Sequence, residues 1–215
     1  MQSLDVTVID YGVGNLLSVS RALEYCGAKV LVTSDANAIL RSRKIVFPGV
    51  GSFPNAMEKL TNLGLISTLQ QFAASGKPFL GICLGMQLLL EESSEFGSTP
   101  GLGIIPGRVV QVPKYNKTGE ILKIPHIGWS TLLRSNNRRN WSNTILESTE
   151  EGAAAYFVHS FMAKPENMED QIAHTVYGGH EIISVVKSQN ITGCQFHPEK
   201  SGEIGLNILR SFLKE

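Results

Sequence analysis

The first ninety residues alternate short apolar runs with stretches of helical periodicity, and no other feature restricts the fold as much. Val6-Thr7-Val8-Ile9 comes first, then a loop carrying Gly12 and Gly14, then a helix from about Leu16. Leu16, Val19, Leu23 and Cys26 recur every three or four residues on one face of that helix, and Gly27 is its stop. Val30-Leu31-Val32 and Ile45-Val46-Phe47 read as the next strands, and Pro78 to Ile82 as the fourth. Near-continuous apolar strands separated by helices predict an α/β fold whose parallel sheet is covered on both faces. Such sheets bind ligands beyond the carboxyl ends of their strands. Two glycine-bearing segments leave those ends, Pro48-Gly49-Val50-Gly51 and Gly81-Ile82-Cys83-Leu84-Gly85.

The second segment carries chemistry. A cysteine with glycine two residues to either side stands between an apolar strand and the helical stretch Met86-Gln87-Leu88-Leu89-Leu90. This is the thiol form of a nucleophile elbow, a turn so tight that neighbouring side chains must be absent. A thiol with an ordinary pKa near 8.5 is only a few per cent thiolate at neutral pH, so it needs assistance. The N–H groups opening the following helix favour the thiolate, and a histidine can hold the thiol proton. About 110 residues on, Gln195-Phe196-His197-Pro198-Glu199 supplies a histidine and a carboxylate two apart, which lean to one side of an extended segment. Cys83 as nucleophile, His197 as base and Glu199 as orienter form a Cys-His-Glu triad. The Pro48–Gly51 loop is the expected source of an oxyanion donor beside the Leu84 N–H. Glycine there also permits a peptide flip.

The second half reads as β-rich: Arg108 to Val112, Ile127 to Leu133, Ala154 to Val158, Ile172 to Val176, Ile182 to Lys187 and Ile191 to Phe196. Gly178-Gly179 predicts a hairpin turn, and Ser201 a cap on a last helix that buries Ile204, Ile208, Leu209 and Phe212. Asn136 to Asn143 looks like a solvated excursion. His174 and His180 are expected at the surface or in the hairpin. Neither His126 nor His159 has a second ligand at metal spacing, so no metal is expected. Cys26 and Cys194 read as packing residues. Without repeats or linkers, residues 1–215 are expected to form one domain.

Nineteen basic residues balance nineteen acidic ones, which argues against nucleic acid or an anionic membrane as a partner. No apolar run approaches the roughly 20 residues that span a bilayer. Met1-Gln2-Ser3-Leu4-Asp5 lacks a leader pattern, and three widely spaced cysteines form no disulfide framework, so a reduced, cytoplasmic protein is expected.

Elbow, glycine loop and His-Pro-Glu, in this order, resemble the class I (triad) glutamine amidotransferases. The resemblance runs essentially end to end. Asp10-Tyr11-Gly12 with Gly14-Asn15, Gly103-Ile104-Ile105-Pro106-Gly107, Pro125-His126-Ile127-Gly128-Trp129, Tyr156-Phe157-Val158-His159-Ser160 and Lys200-Ser201 narrow it to the glutaminase subunits of imidazole glycerol phosphate synthases. It implies a mixed, mostly parallel, flavodoxin-like sheet flanked by helices, with further antiparallel strands in the C-terminal half. It implies L-glutamine as substrate, held by Gln87, the backbone at Gly49 and Gly51, and the segment at His159 and Ser160. Val50 and Leu84 would supply the oxyanion amides, and no cofactor is implied. Family members work with a (β/α)8-barrel cyclase subunit, which Asn15, Trp129, Tyr156 and Lys200 would face. On residues alone, Trp129 and Tyr156 could equally be core aromatics. Three other readings remain: a paralogue feeding ammonia to a sugar amidotransferase in surface-polysaccharide synthesis, a stand-alone cysteine hydrolase of γ-glutamyl compounds, and a catalytically silent binding subunit.

Overall fold

Every strand expected in the first ninety residues forms and pairs in parallel in the computed structural model, which describes residues 5–135 and 138–215. Residues 1–4 of the segment read for a leader, and Asn136 and Asn137 of the expected excursion, lie outside the described residues. The first half runs β1 (Val6–Ile9), α1 (Leu16–Tyr25), β2 (Val30–Thr33), α2 (Ala36–Arg41), β3 (Ile45–Gly49), α3 (Phe53–Asn62), α4 (Leu65–Ala74), β4 (Phe79–Cys83) and α5 (Leu84–Leu88). Then come β5 (Leu90–Ser93), β6 (Thr99–Pro100), β7 (Ile105–Gln111), β8 (His126–Thr131), β9 (Leu133–Arg134), β10 (Ala154–His159) and β11 (Phe161–Pro165). The chain closes with β12 (Gln171–Tyr177), β13 (His180–Ser188), β14 (Ile191–Cys194) and α6 (Gly202–Lys214).

One eight-stranded sheet, ordered β2-β1-β3-β4-β14-β13-β12-β9, organises these elements. Its first five strands are parallel and the last three join antiparallel. The fold is therefore α/β with a mixed sheet flanked by helices. Alternation along the buried strands splits the core in two. Phe47 and Phe79 pack to one side with Phe53, Leu69 and Phe72. Val46 and Leu80 pack to the other with Leu23, Phe157, Leu209 and Phe212. A four-stranded sheet, β11-β7-β5-β6, and a two-stranded ribbon, β10-β8, lie outside the main sheet.

Five local expectations need correction. The helix after the elbow ends at Leu88, and Leu90 pairs with Ile105 as the start of β5. Residues 81–90 are all buried, so no polar face exists from which periodicity could tell helix from strand. The strand expected over Ile127 to Leu133 breaks at buried Leu132. β8 pairs with β10, while β9 crosses to pair with β12 at the edge of the main sheet. The excursion is not wholly solvated, because Trp141 is buried and its Nε1–H donates to the Ile172 carbonyl at 3.1 Å. His174 lies in the β12–β13 hairpin but is buried there and not at the surface, in register with Leu133 of β9. Ser201 stands at the start of α6, but its hydroxyl donates to His197 O (2.7 Å) and accepts from Tyr156 N–H (3.0 Å) in place of capping the helix. The Gly178-Gly179 hairpin does form, with φ of 59° and 81° that glycine adopts without strain.

The glycines that bracket the elbow answer to close packing. A Cβ on Gly85 would run into the Phe47 carbonyl, and one on Gly81 would lie 2.8 Å from Gly85 O. α5 therefore sits directly on β3 and β4. Gly85→Ala should lower unfolding free energy by about 3 kcal/mol, the upper end of ordinary overpacking costs, because it meets backbone and not a movable side chain. Urea denaturation would measure this, and a loss under about 1 kcal/mol would contradict it.

Candidate active site

Cys83 closes β4 with φ 54° and ψ −112°. A side-chain-bearing residue in this region costs about 1–3 kcal/mol and persists only where its surroundings over-determine it. Here β3 pairs alongside as far as Gly49, opposite Cys83, and α5 begins at the next residue. The bend turns the sulfur away from the sheet and into a cavity of about 340 Å³ beyond the strand ends. Sγ lies 3.8 Å from Val158 O and receives the Gln195 Nε2–H at 3.7 Å.

His197 lines the same cavity, carried there by the segment that leaves the neighbouring strand β14. Its Nδ1 meets Glu199 Oε1 at 2.8 Å, and both side chains are almost wholly buried. Glu199 sits in a 3-10 turn, Pro198–Lys200, so the turn and not an extended segment aims the carboxylate at the ring. Because Nδ1–H donates to Glu199, Nε2 is the edge available to the cavity, and it has no hydrogen-bond partner. The nearby Cys83 favours a proton on this ring. Burial opposes the imidazolium, but the interactions of the side chain with Cys83 and Glu199 outweigh it and raise His197 to about 10.

The glycine loop contributes to the cavity wall. Val50, Gly51 and Leu84 all line the cavity. Gly49 does not line it and packs behind the loop against Tyr11. Gln87 donates both amide protons, to Phe161 O and Gln195 Oε1, each at 2.9 Å, and so offers the cavity its carbonyl. Ser160 also lines the wall.

His159, another wall residue, ends a chain of hydrogen bonds in which each tautomer follows from its neighbour. His159 Nδ1–H donates to Phe161 O at 2.8 Å, so its Nε2 accepts from His126 Nδ1–H at 3.0 Å. His126 Nε2 then accepts from the Ser130 hydroxyl at 2.9 Å. Burial, and then the neighbouring His126 and His197, press His159 down to about 3 against its bond to Phe161, so it is neutral at physiological pH. Burial lowers His126 also, and its ring lies stacked between Phe157 and Tyr177. Both histidines act as hydrogen-bonding struts and not as proton carriers.

Sequence reasoning missed Glu95 and gave Gln195 no role. Glu95 is buried, lines the cavity, and its Oε2 accepts from the Phe53 N–H that opens α3, at 2.7 Å. It belongs to no motif, and a glutamate after two serines in a polar stretch carries no signal. Gln195 was legible only as a neighbour of His197.

Outside the cavity, Trp129 is 58% exposed and its ring lies 6.0 Å from that of Tyr156. Lys200 Nζ stands 6.0 Å from the Tyr156 ring centroid. Asn15 caps α1, accepting from Ser18 N–H at 3.3 Å, and α1 packs against the turn that holds Lys200. Trp129, Tyr156 and Lys200 thus form one open patch on the ribbon that supports the cavity wall. Among the described residues no group of three or more His, Cys, Asp or Glu side chains could hold a metal ion, and no helix is long and apolar enough to cross a membrane.

The family model described as glutamine amidotransferase class-I matches residues 7–215. The chain is 51% identical over 209 residues to imidazole glycerol phosphate synthase subunit HisH 1 of Legionella pneumophila (strain Lens), covering 97% of this chain and 98% of that protein. It is 45% identical to subunit HisH of Geobacillus thermodenitrificans, covering 97% and 94%. Among solved structures, a glutamine amidotransferase superposes with a TM-score of 0.72 at 16% identity, covering 97% of both chains. PurLQS from Thermotoga maritima gives 0.69 at 23%, again covering 97% of both. At those identities the two structures speak to the fold.

The two buried histidines of the cavity should titrate in opposite senses. In histidine-labelled protein followed by NMR, His197 keeps its proton from pH 6 to 9 and His159 stays neutral throughout. Cys83→Ala and Glu199→Gln each lower the His197 pKa, since burial is then less opposed. An imidazole at position 197 that deprotonates near its ordinary value of about 6.5 in the unmutated chain would contradict the ion-pair geometry.

Proposed function

The chain belongs to the class I glutamine amidotransferases, and from that membership we propose that it is the glutaminase subunit of an imidazole glycerol phosphate synthase. It hydrolyses L-glutamine to L-glutamate and ammonia, and passes the ammonia to a (β/α)8-barrel cyclase subunit in the cytoplasm. There imidazole glycerol phosphate and an aminoimidazole carboxamide nucleotide are made in histidine biosynthesis. One observation carries the chemistry: a strained cysteine and a glutamate-anchored imidazole line one cavity. The HisH relatives, similar over nearly their whole length, support the pathway.

Cys83 thiolate attacks the side-chain amide carbon of glutamine, and the Leu84 and Val50 amides hold the oxyanion that forms. His197, protonated in the resting site, gives its proton to the departing nitrogen, and ammonia leaves a glutamyl thioester on Cys83. The now neutral imidazole takes a proton from water as the water attacks the thioester. Glutamate leaves, and the thiolate–imidazolium pair is restored. Glu199 fixes the ring so that Nε2 faces the sulfur and balances the imidazolium charge. The Gln87 carbonyl and the Glu95 carboxylate are acceptors suited to the α-ammonium of glutamine, while Gly51 and Ser160 close around its backbone end.

Ammonia released into bulk water becomes ammonium, which is not a nucleophile. The partner must therefore cover the site, and the open Trp129–Tyr156–Lys200 patch, with Asn15 nearby, is the face assigned to it. Trp and Tyr are among the side chains most enriched at interfaces, and here Trp129 is exposed beside half-buried Tyr156.

Cys83→Ala should abolish glutamine-dependent synthesis by about 10⁴-fold or more, and spare synthesis from added ammonium salt. Loss of both activities would give the cysteine a different role. The isolated chain should hydrolyse glutamine slowly and accelerate with the cyclase and its nucleotide, because the loop at Val50 must be aligned first. A fast, unchanged steady-state rate for the lone subunit would refute that coupling.

A further inference from the structure

Tyr11 is 1% exposed, and its hydroxyl oxygen is buried without any hydrogen-bond partner. Native proteins seldom leave such a group unpaired, and each exception asks for a reason. The ring follows β1, packs tilted against Phe47 of β3 with centroids 5.0 Å apart, and brings the hydroxyl under the glycine loop. A Cβ built on Gly49 would lie 2.5 Å from that oxygen. Gly49 is thus a glycine because Tyr11 occupies the space beneath it. Burial first, and then the nearby Cys83, pushes the phenol far above its ordinary range, so the hydroxyl keeps its proton and is a donor. Leu84 Cβ and Gly85 N also border the Gly49 position, so this hydroxyl sits where glycine loop and elbow meet. Tyr11 is not among the residues that line the cavity, and it reaches Gly49 from beneath the loop.

The Gly49–Val50 peptide carries the Gly49 carbonyl on one edge and the Val50 N–H on the other, pointing in opposite directions. When the N–H turns toward the cavity, the carbonyl turns toward the protein interior. We propose that Tyr11 is a positioning residue whose hydroxyl donates to the Gly49 carbonyl once that peptide turns, holding the Val50 N–H on the oxyanion. In the arrangement described here the hydroxyl is unpaired, so the bond it lacks is gained on turning and favours the turned state. The inference rests on the Val50 role under the proposed function and adds the group that stabilises it.

The test is Tyr11→Phe in the full chain assembled with its cyclase, with nucleotide ligand bound. The kcat for glutamine hydrolysis should fall about tenfold, the factor one ordinary hydrogen bond supplies, with KM within about twofold. Binding of glutamine γ-aldehyde, which forms a tetrahedral adduct on Cys83, should weaken by the same factor. Alkylation of Cys83 by iodoacetamide should keep its rate, and the Tm of the isolated chain should hold or rise, since no bond is lost there. An unchanged kcat overturns the proposal. So does a fall in Tm and alkylation rate alongside kcat, which would make Tyr11 a packing residue. Wild-type protein that hydrolyses no glutamine in the complex defeats the proposed function itself, a result separate from the Tyr11→Phe comparison.

Discussion

A residue with a side chain held at positive φ, between a parallel strand and a five-residue helix, is the constraint on which the site is built. Cys83 cannot adopt φ 54° cheaply, so its neighbours must make every alternative worse. They do so by contact. Gly85 lets α5 touch the Phe47 carbonyl, Gly81 lets the helix fold back on β4, and Gly49 lets β3 run to the end of the pairing opposite Cys83. With ten successive buried residues from Gly81 to Leu90, the bend is clamped from both sides. The strain is the means by which a side chain from the middle of the sheet comes to point outward.

The same end of the sheet gathers everything else the chemistry uses. β14 lies beside β4, so the segment leaving it brings Gln195 to the sulfur and His197 to the cavity, across 112 residues of sequence in the first case. The Pro198–Lys200 turn then places Glu199 behind the imidazole and Lys200 on the outer face. One turn thus joins the buried ion pair to the open aromatic patch. Tyr156 belongs to both, since its backbone N–H meets the Ser201 hydroxyl and its carbonyl accepts from His197 N–H. A partner pressing on Tyr156 and Trp129 would press on the strand pair that carries His159 and Val158 to the cavity wall. Neutral His126 and His159 stiffen that wall, because each is committed as donor and acceptor in a single chain of bonds.

Local pattern was enough for the parallel strands, the elbow, the His-Pro-Glu segment and the Gly-Gly hairpin. Each rests on a short-range physical rule: apolar runs need covering, tight turns need glycine, and hairpins need positive φ. It failed where burial removed the pattern or where one residue outweighed its surroundings. Residues 84–90 are buried throughout, so nothing in their pattern marks where the helix ends and the strand begins. Trp141 anchors a segment whose other residues are polar, and His174 is buried in a hairpin strand that pairs on its other edge with a two-residue strand too short to recognise.

What the amino-acid order determined by itself is which atoms can react: a thiol at a bend, an imidazole with a carboxylate two residues on, and glycines where backbones must touch. These depend on chemical identity and on spacings of a few residues, which survive in a linear string. What only the tertiary structure decided is which partners those atoms meet: Glu95 on the cavity wall, Gln195 on the sulfur, Tyr11 beneath Gly49, and a patch of aromatics left open. Such meetings depend on strand order and on crossovers of a hundred residues, and no short-range rule encodes a distance of that kind.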